Sequence, residues 1–401
     1  MRVAIVTETR ALVGGVETYL DGLMPSLARR HTLAFWTPSS RSSERGAIGV
    51  PDGVDVLNGA GVVDPGRVTA FRPDVVFSHG LADPTLETAV ADAAPVVHLQ
   101  HNYHGTCISG SKTQTLLTPH VCGRRFGPAC LALYFPRGCG GKNPLTMVSM
   151  YRRQAARLSL VERAAALVTL STHMRDELLR HGVTADRVHV VPPFVTLPPK
   201  PSRAPRVDVS RLTFLGRLEP LKGVDRLIRA LPAVRERLGR PVVLSIAGEG
   251  AERAALESAA RHVEANASGI TIRFQGWLSP AGRARLLDES DALVVPSIWP
   301  EPYGLVGVEA GAAGVPSVAF AHGGIVDWLE DGQTGCLAPS DGARPGALAD
   351  AIVRCVKDPD VRTRLGDEAR ARAAALTLDR HLDGLDRVFA LATGARGGTL
   401  R

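Results

Sequence analysis

The sequence predicts an α/β protein built as two parallel-sheet domains. Short continuous apolar runs alternate with segments of helical periodicity along nearly the whole chain. A proline-dense stretch, Pro192–Pro205, interrupts that alternation near the middle and reads as a stiff linker. The length, 401 residues, exceeds what one hydrophobic core ordinarily holds. The expected boundaries are 1–195 for the first domain and 196–377 for the second. The remainder, 378–401, is expected to hold a helix near Leu378–Leu391 that returns to the first domain.

In the first half, Arg2–Glu8 is an unbroken apolar strand of the kind buried in parallel sheets. Gly14-Gly15 then precede a helix from Val16 to about Arg29. Strand, glycine turn and helix N-terminus together make an anion cradle, and a tight turn that needs glycine backbone accounts for the same residues equally well. Strands follow at Thr32–Thr37, Val54–Asn58, Asp74–Ser78 and Pro95–Gln100, with a helix around Pro84–Ala93. His79 and His101 each stand just past a strand's carboxyl end, where open α/β sheets bind ligands. His79 reads as an ordinary loop histidine, whereas the strand Val96–Gln100 aims His101 at the ligand side, where an imidazole serves as acid, base or hydrogen-bond partner.

Residues 102–142 are rich in glycine, proline, arginine and cysteine and read as a long loop of the first domain. Cys107, Cys122, Cys130 and Cys139 lie there without any C-x-x-C pair. Free thiols are the default, and a structural metal or disulfide cluster is the alternative. Asn143 to about Ala166 is expected to be a helix with apolar Leu145, Val148, Leu158 and Val161 and basic Arg152, Arg153 and Arg157. That pattern suits packing on one face and solvation on the other, and also peripheral contact with an anionic membrane. Strands at Leu167–Ser171 and Val188–Pro192 complete the first half.

The second half repeats the alternation, with strands at Leu212–Gly216, Val242–Ala247, Ile270–Phe274, Ala292–Val295, Ser317–Phe320 and Gly335–Ala338. Two constellations stand out. Arg217 and Lys222 fall in the turn after its first strand, where two cations suit a diphosphate, the arginine as a fork and the lysine as a point charge. Lys222 is one of five lysines, with Lys112, Lys142, Lys200 and Lys357, in a chain that otherwise uses arginine. As a loop lysine it is expected to be exposed and to matter little to stability. The second constellation is Ser297–Pro316: strand, loop, then a small-residue helix. Glu301 lies in the loop, Gly304 and Leu305 at the helix entrance, and Glu309 about one turn in. A helix N-terminus there offers N–H groups to a phosphate, and Glu309 suits a vicinal diol such as a ribose. Asp358-Pro359-Asp360 matches a metal-binding D-x-D but reads as a helix cap.

Composition narrows the classes. A net charge of +7 points to anionic partners, yet no basic run with interleaved aromatics suggests nucleic acid. No apolar run reaches bilayer length, and Met1 leads directly into a strand without a signal-peptide pattern, so a cytoplasmic protein is expected.

Taken together, G-R-L-x-x-x-K-G at Gly216–Gly223, the Ala247-Gly-Glu-Gly250 turn, E-P-Y-G-L-V-x-x-E-A at Glu301–Ala310 and Gly323-Gly324 with Asp331-Gly-x-Thr-Gly335 resemble the retaining glycosyltransferases of family 4 (group 1). Gly14-Gly15-Val16-Glu17 and the His101 region fit the same family, so the resemblance spans nearly the whole chain. It implies GT-B architecture: two Rossmann-like domains facing a cleft, the first taking a hydroxyl acceptor and the second a UDP- or GDP-sugar, with no cofactor or catalytic metal. The resemblance assigns Arg217 and Lys222 to the donor diphosphate, Glu309 to the ribose and Glu301 to the transferred sugar. It assigns the amides at Gly304 and Leu305 to phosphate, Gly15 to the donor phosphate or acceptor, and His101 to the sugar. Where the family often has His-Asp, this chain has His101-Asn102. The mechanism implied retains the anomeric configuration by a front-face reaction. A non-hydrolysing nucleotide-sugar epimerase of the same architecture and a non-catalytic nucleotide-sugar-binding protein are the alternatives.

Overall fold

The computed structural model describes residues 1–12, 14–39, 46–57, 63–116, 119–199 and 208–394. In chain order come β1 (Arg2–Val6), α1 (Gly15–Arg30), β2 (Thr32–Trp36), β3 (Asp55–Val56), α2 (Gly66–Phe71), β4 (Val75–Ser78), α3 (Pro84–Ala91) and β5 (Val96–Leu99). A hairpin, β6 (Thr113–Gln114) and β7 (His120–Val121), precedes α4 (Ala129–Leu133), α5 (Pro144–Arg163), β8 (Ala166–Thr169), α6 (Thr172–Arg180) and β9 (Val188–Val190). The second half runs β10 (Ser210–Leu215), α7 (Val224–Leu238), β11 (Val242–Ala247), α8 (Arg253–Asn266), β12 (Ile270–Gly276), α9 (Pro280–Asp288) and β13 (Ala292–Val295). It ends with α10 (Leu305–Ala312), β14 (Ser317–Phe320), β15 (Gly335–Ala338), α11 (Pro345–Val356), α12 (Pro359–Ala374) and α13 (Leu378–Ala392).

Helix starts follow a recurrent local device. α3, α5, α9 and α12 each begin with proline after Asp83, Asn143, Ser279 or Asp358, whose side chain accepts a first-turn N–H. Proline at that position costs no hydrogen bond, and the cap satisfies an orphan donor, about 1 kcal/mol each. Asp358-Pro359-Asp360 is therefore a cap, as its sequence suggests.

The chain divides into two units. Met1–Ser111, Arg124–Pro193 and the segment from Leu378 form one; Lys112–Gly123 and Phe194–Thr377 form the other. One sequence expectation is corrected here. Residues 102–142 are not one loop of the first domain: Lys112–Gly123 belongs to the second unit, closed into a hairpin by the Cys122 N–H bond to the Lys112 carbonyl (2.7 Å), with Thr113 and Gln114 buried. The chain passes between units at Pro193, inside the proline-dense stretch; Lys200, Pro201 and Pro205 lie outside the described residues, as does Asn58.

Each unit carries one all-parallel sheet, ordered β3-β2-β1-β4-β5-β8-β9 in the first and β12-β11-β10-β13-β14-β15 in the second. In both, strand order reverses beside the unit's first strand: between β1 and β4, and between β10 and β13. At such a switch the loops leaving the carboxyl ends diverge to opposite faces and open a crevice, the usual ligand position. The second unit's core is continuous, from Leu212 and Phe214 through Leu227, Leu231 and Val294 to Ile352.

Candidate active site

The second unit's switch point brings the two sequence constellations together. Loops after β10 and β13 are laced by backbone: the Ile298 and Trp299 N–H groups both donate to the Leu221 carbonyl, at 3.0 and 3.2 Å. Gly223 takes φ +68, and a Cβ there would stand 2.0 Å from the Pro296 carbonyl oxygen, so only glycine permits this approach. The lacing sets Lys222 Nζ 2.7 Å from Glu301 Oε1 across 79 residues of sequence. Ser297 Oγ donates to the same oxygen at 2.6 Å, and the ammonium lies 4.9 Å from the centroid of the Trp299 ring. The Glu301 side chain is 8% exposed and that of Lys222 18%. The expectation of an exposed loop lysine is thereby corrected: Lys222 is a half of a largely buried ion pair.

Glu301 itself is held from behind. Gly324 N–H donates to the Glu301 carbonyl at 2.6 Å, and a Cβ at Gly323 or Gly324 would strike the backbone of Pro300–Tyr303. The His322 Nε2–H donates to the Ser297 carbonyl at 2.6 Å, and burial lowers that imidazole's pKa, keeping it neutral. Gly304 (φ +91) caps α10 without a side-chain bond, leaving the helix N-terminus at Leu305 beside the Lys222–Glu301 pair's loop. Trp328 props this turn, its indole N–H on the Tyr303 carbonyl (2.6 Å) and its ring where a Gly307 Cβ would be. Glu309, one turn further, lies 3.6 Å from Arg283 of α9; burial raises its pKa and Arg283 counters the rise. Arg217 is not drawn into the pair: its guanidinium is exposed and bonds Glu219 at 2.6 Å.

In the first unit, Gly14 has φ −160, extended backbone open to any residue, and neither Gly14 nor Gly15 is left-handed. The tight-turn account is thus corrected. What Gly15 leaves is space: among the described residues nothing lies within 4 Å of where its Cβ would be. At the ends of β4 and β5, His79 Nδ1 and His101 Nε2 are hydrogen-bonded at 2.8 Å with their rings stacked, so His79 is no ordinary loop histidine. Burial, with His98 nearby, pulls His101 down to about 3, and burial holds His79 well below its usual value. Both are neutral at physiological pH. Asn102 Oδ1 accepts the His104 N–H at 2.8 Å, a role an aspartate oxygen would fill equally.

Sequence reasoning missed Ser297, Trp299 and His322, though a histidine directly between β14 and Gly323-Gly324 was a usable signal. It also missed His381 on α13. The Pro192 carbonyl can only accept, so His381 Nδ1–H donates to it (2.7 Å), and Nε2 then accepts from the Tyr19 hydroxyl (2.6 Å). Burial takes His381 to about 4. No disulfide joins the four cysteines of 102–142; Cys122 lies in the second unit and the other three in the first. Among the described residues no group of three or more His, Cys, Asp or Glu is placed to hold a metal, and no helix is long and apolar enough to cross a membrane.

Comparison with known proteins gives the family and the fold. The Glycosyl transferases group 1 family matches residues 201–372 and Glycosyltransferase Family 4 matches residues 13–197. A D-inositol 3-phosphate glycosyltransferase of Xylanimonas cellulosilytica is 30% identical over 421 residues, covering 96% of this chain and 93% of that protein. A glycogen synthase of Mycobacterium tuberculosis is 36% identical over 239 residues, 56% of this chain and 52% of the relative, so that match spans about half the relative's length. Among solved structures, sucrose-phosphate synthase from Thermosynechococcus elongatus superposes with a TM-score of 0.72 at 17% identity, covering 98% of this chain and 100% of the other. Anabaena HepE in complex with UDP and glucose superposes with a TM-score of 0.66 at 16% identity, covering 96% and 98%. The fold is therefore GT-B, and the chain belongs to the group 1, family 4 glycosyltransferases.

Proposed function

We propose that this glycosyltransferase moves a sugar from a nucleoside-diphosphate sugar to a hydroxyl acceptor, with retention of anomeric configuration and without a divalent metal. The observation that carries the reading is the Lys222–Glu301 pair at the β10/β13 switch point, beside the N-terminus of α10. Lys222 and the first amides of α10, at Leu305, take the charge that grows on the departing diphosphate. Arg217, held among the described residues only by the Glu219 carboxylate, turns to the same phosphates as a fork. Glu301, its second oxygen unused by Lys222 and Ser297, accepts from hydroxyls of the sugar, and Glu309 accepts from the ribose diol. His101, neutral, contributes a hydrogen bond rather than a positive charge. HepE carries UDP in the same fold, which supports a uridine nucleotide as the first donor to test.

The test is thermal stabilisation by UDP and GDP, followed by turnover of UDP- and GDP-sugars with and without hydroxyl acceptors. A ligand bound only by the folded state at a hundred times its Kd adds about 2.7 kcal/mol of stability. Absence of stabilisation by every nucleotide overturns the reading. Interconversion of the donor sugar without an acceptor replaces transfer with epimerisation.

A further inference from the structure

A central strand of a parallel sheet is normally covered on both faces. β5 is not. Val97 and Leu99 are fully buried, while Val96 and His98, on the opposite face, are only partly so. A cavity of about 400 Å³ lies there, lined by Val96 and His98, by the small Thr88 and Ala91 of α3, by Leu160 of α5 and by Ala164 just after it. The apolar core on this side is split accordingly. Val6, Val76 and Val90 form one cluster and Val161, Ala164 and Leu167 another, and Val96 packs against both. The volume lies within the range of roughly 300–1,000 Å³ typical of small-molecule sites.

One end of the cavity is a built polar network. Ser78 Oγ donates to Glu87 Oε1 at 3.0 Å, and the other Glu87 oxygen takes the Leu81 N–H at 3.3 Å. His98 Nδ1 stands 3.6 Å from the same carboxylate. Arg157, 8% exposed, gives Nη2 to the Leu81 and Ala82 carbonyls at 3.0 and 3.1 Å. No described residue accepts from its Nε or Nη1, although a guanidinium carries five donors. Donors in excess, on a mostly buried cation that lines the cavity together with Glu87 and Glu8, suit a carbonyl or carboxylate oxygen. His101 lines the same cavity.

We propose that the cavity is a binding site for a small amphipathic molecule, its apolar body lying between α3 and α5 and its carboxylate or carbonyl oxygen on Arg157. Resting on the glycosyl-transfer reading, the occupant is the aglycone of the acceptor, with the hydroxyl to be glycosylated held at the His101 end.

The probe is 8-anilinonaphthalene-1-sulfonate, an apolar body with one anionic group, compared with neutral N-phenyl-1-naphthylamine. The folded parent is expected to bind one sulfonate per chain, at least fivefold tighter than the neutral probe. Ala91→Phe, which fills the cavity, should weaken both probes tenfold or more, and Arg157→Met should weaken the sulfonate selectively. If Arg157→Met does not fold, the ratio of the two probes in the parent still reads the charge. Equal affinity for both probes overturns the anionic component. No saturable binding, or binding unmoved by Ala91→Phe, overturns the site. UDP-induced stabilisation is measured on the same samples: stabilisation without probe binding refutes only the cavity, and probe binding without stabilisation by any nucleotide refutes only the glycosyl-transfer reading.

Discussion

Removing Lys222 should harm both folding and chemistry, and the two effects are separable. Breaking a fully buried ion pair by deleting one partner costs about 3–5 kcal/mol, because the other charge is left uncompensated. Here Glu301 keeps the Ser297 hydroxyl at 2.6 Å, and the lysine side chain is 18% exposed, so Lys222→Met should cost less, about 2 kcal/mol. For a domain of this size that lowers Tm by roughly 4–8 °C. Glu301→Gln should also destabilise, and the double variant should be less destabilised than the sum, with a coupling of about 1–2 kcal/mol. Urea unfolding of the four proteins measures it. The coupling should persist in 0.5 M salt, since a shielded pair is weakly screened. Turnover of Lys222→Met should fall about 10²–10³-fold, the usual loss when one electrostatic contact to a developing charge is removed. Lys222→Arg should recover only part, because a planar fork does not replace a compact ammonium. Additivity within about 0.3 kcal/mol would show that the pair is not a unit in solution, and parent-rate turnover in Lys222→Met would remove the lysine from the phosphate site.

Four further outcomes are expected. Gly324→Ala, whose Cβ would stand 2.3 Å from the Pro302 oxygen, should lower stability by more than about 2 kcal/mol by denaturant titration, whereas Gly332→Ala, with open space among the described residues, should cost only the left-handed backbone, about 1 kcal/mol; equal losses would discount the close approach. His381 sits at about 4 in the fold against 6.5 unfolded, so the unfolded chain binds more protons between those values and stability must fall as pH drops through that window, by roughly 1.4 kcal/mol per unit. His381→Gln should reduce the slope by about that amount, the remainder coming from other buried histidines such as His101, and an unchanged slope would contradict it. Glu309→Gln should weaken UDP about tenfold in calorimetry and weaken the 2′-deoxy nucleotide much less, the contrast that a ribose contact requires. Chelation should leave turnover unchanged; loss restored by magnesium or manganese would reverse the metal-free reading.

The legible parts of this molecule were the local ones. Apolar runs such as Ala292–Val295 and Ser317–Phe320 became strands with those bounds, and Gly216–Gly223 and Glu301–Glu309 stood out as candidate-site segments because each fits within a single turn and helix. What stayed hidden depends on strand order. Lys222 meets Glu301 because β10 pairs with β13 and not with its successor's neighbour, a fact absent from local periodicity. His79 meets His101 because β4 and β5 are adjacent, and His381 meets Tyr19 across 362 residues. The β6–β7 hairpin has two residues per strand, too few for any alternation to show. Gly14-Gly15 suggested a tight turn or an anion cradle; neither glycine is left-handed, and what Gly15 provides is room.

The last helix has a bearing on how the protein is made. α13 buries His381, Leu382, Leu385, Val388 and Phe389 within the first unit, although it is synthesised after the whole of the second. A nascent chain released only as far as Thr377 holds every segment of the second unit, including the Lys112–Gly123 hairpin, but lacks the piece that seals the first. Domains usually fold in the order they leave the ribosome. Here the order is inverted: the later-translated unit is complete first, and the earlier one lacks the α13 side chains that cover Tyr19, Phe77 and the Pro192 carbonyl until α13 has been made. In the interval between those two events the first unit exposes the apolar surface that α13 later buries.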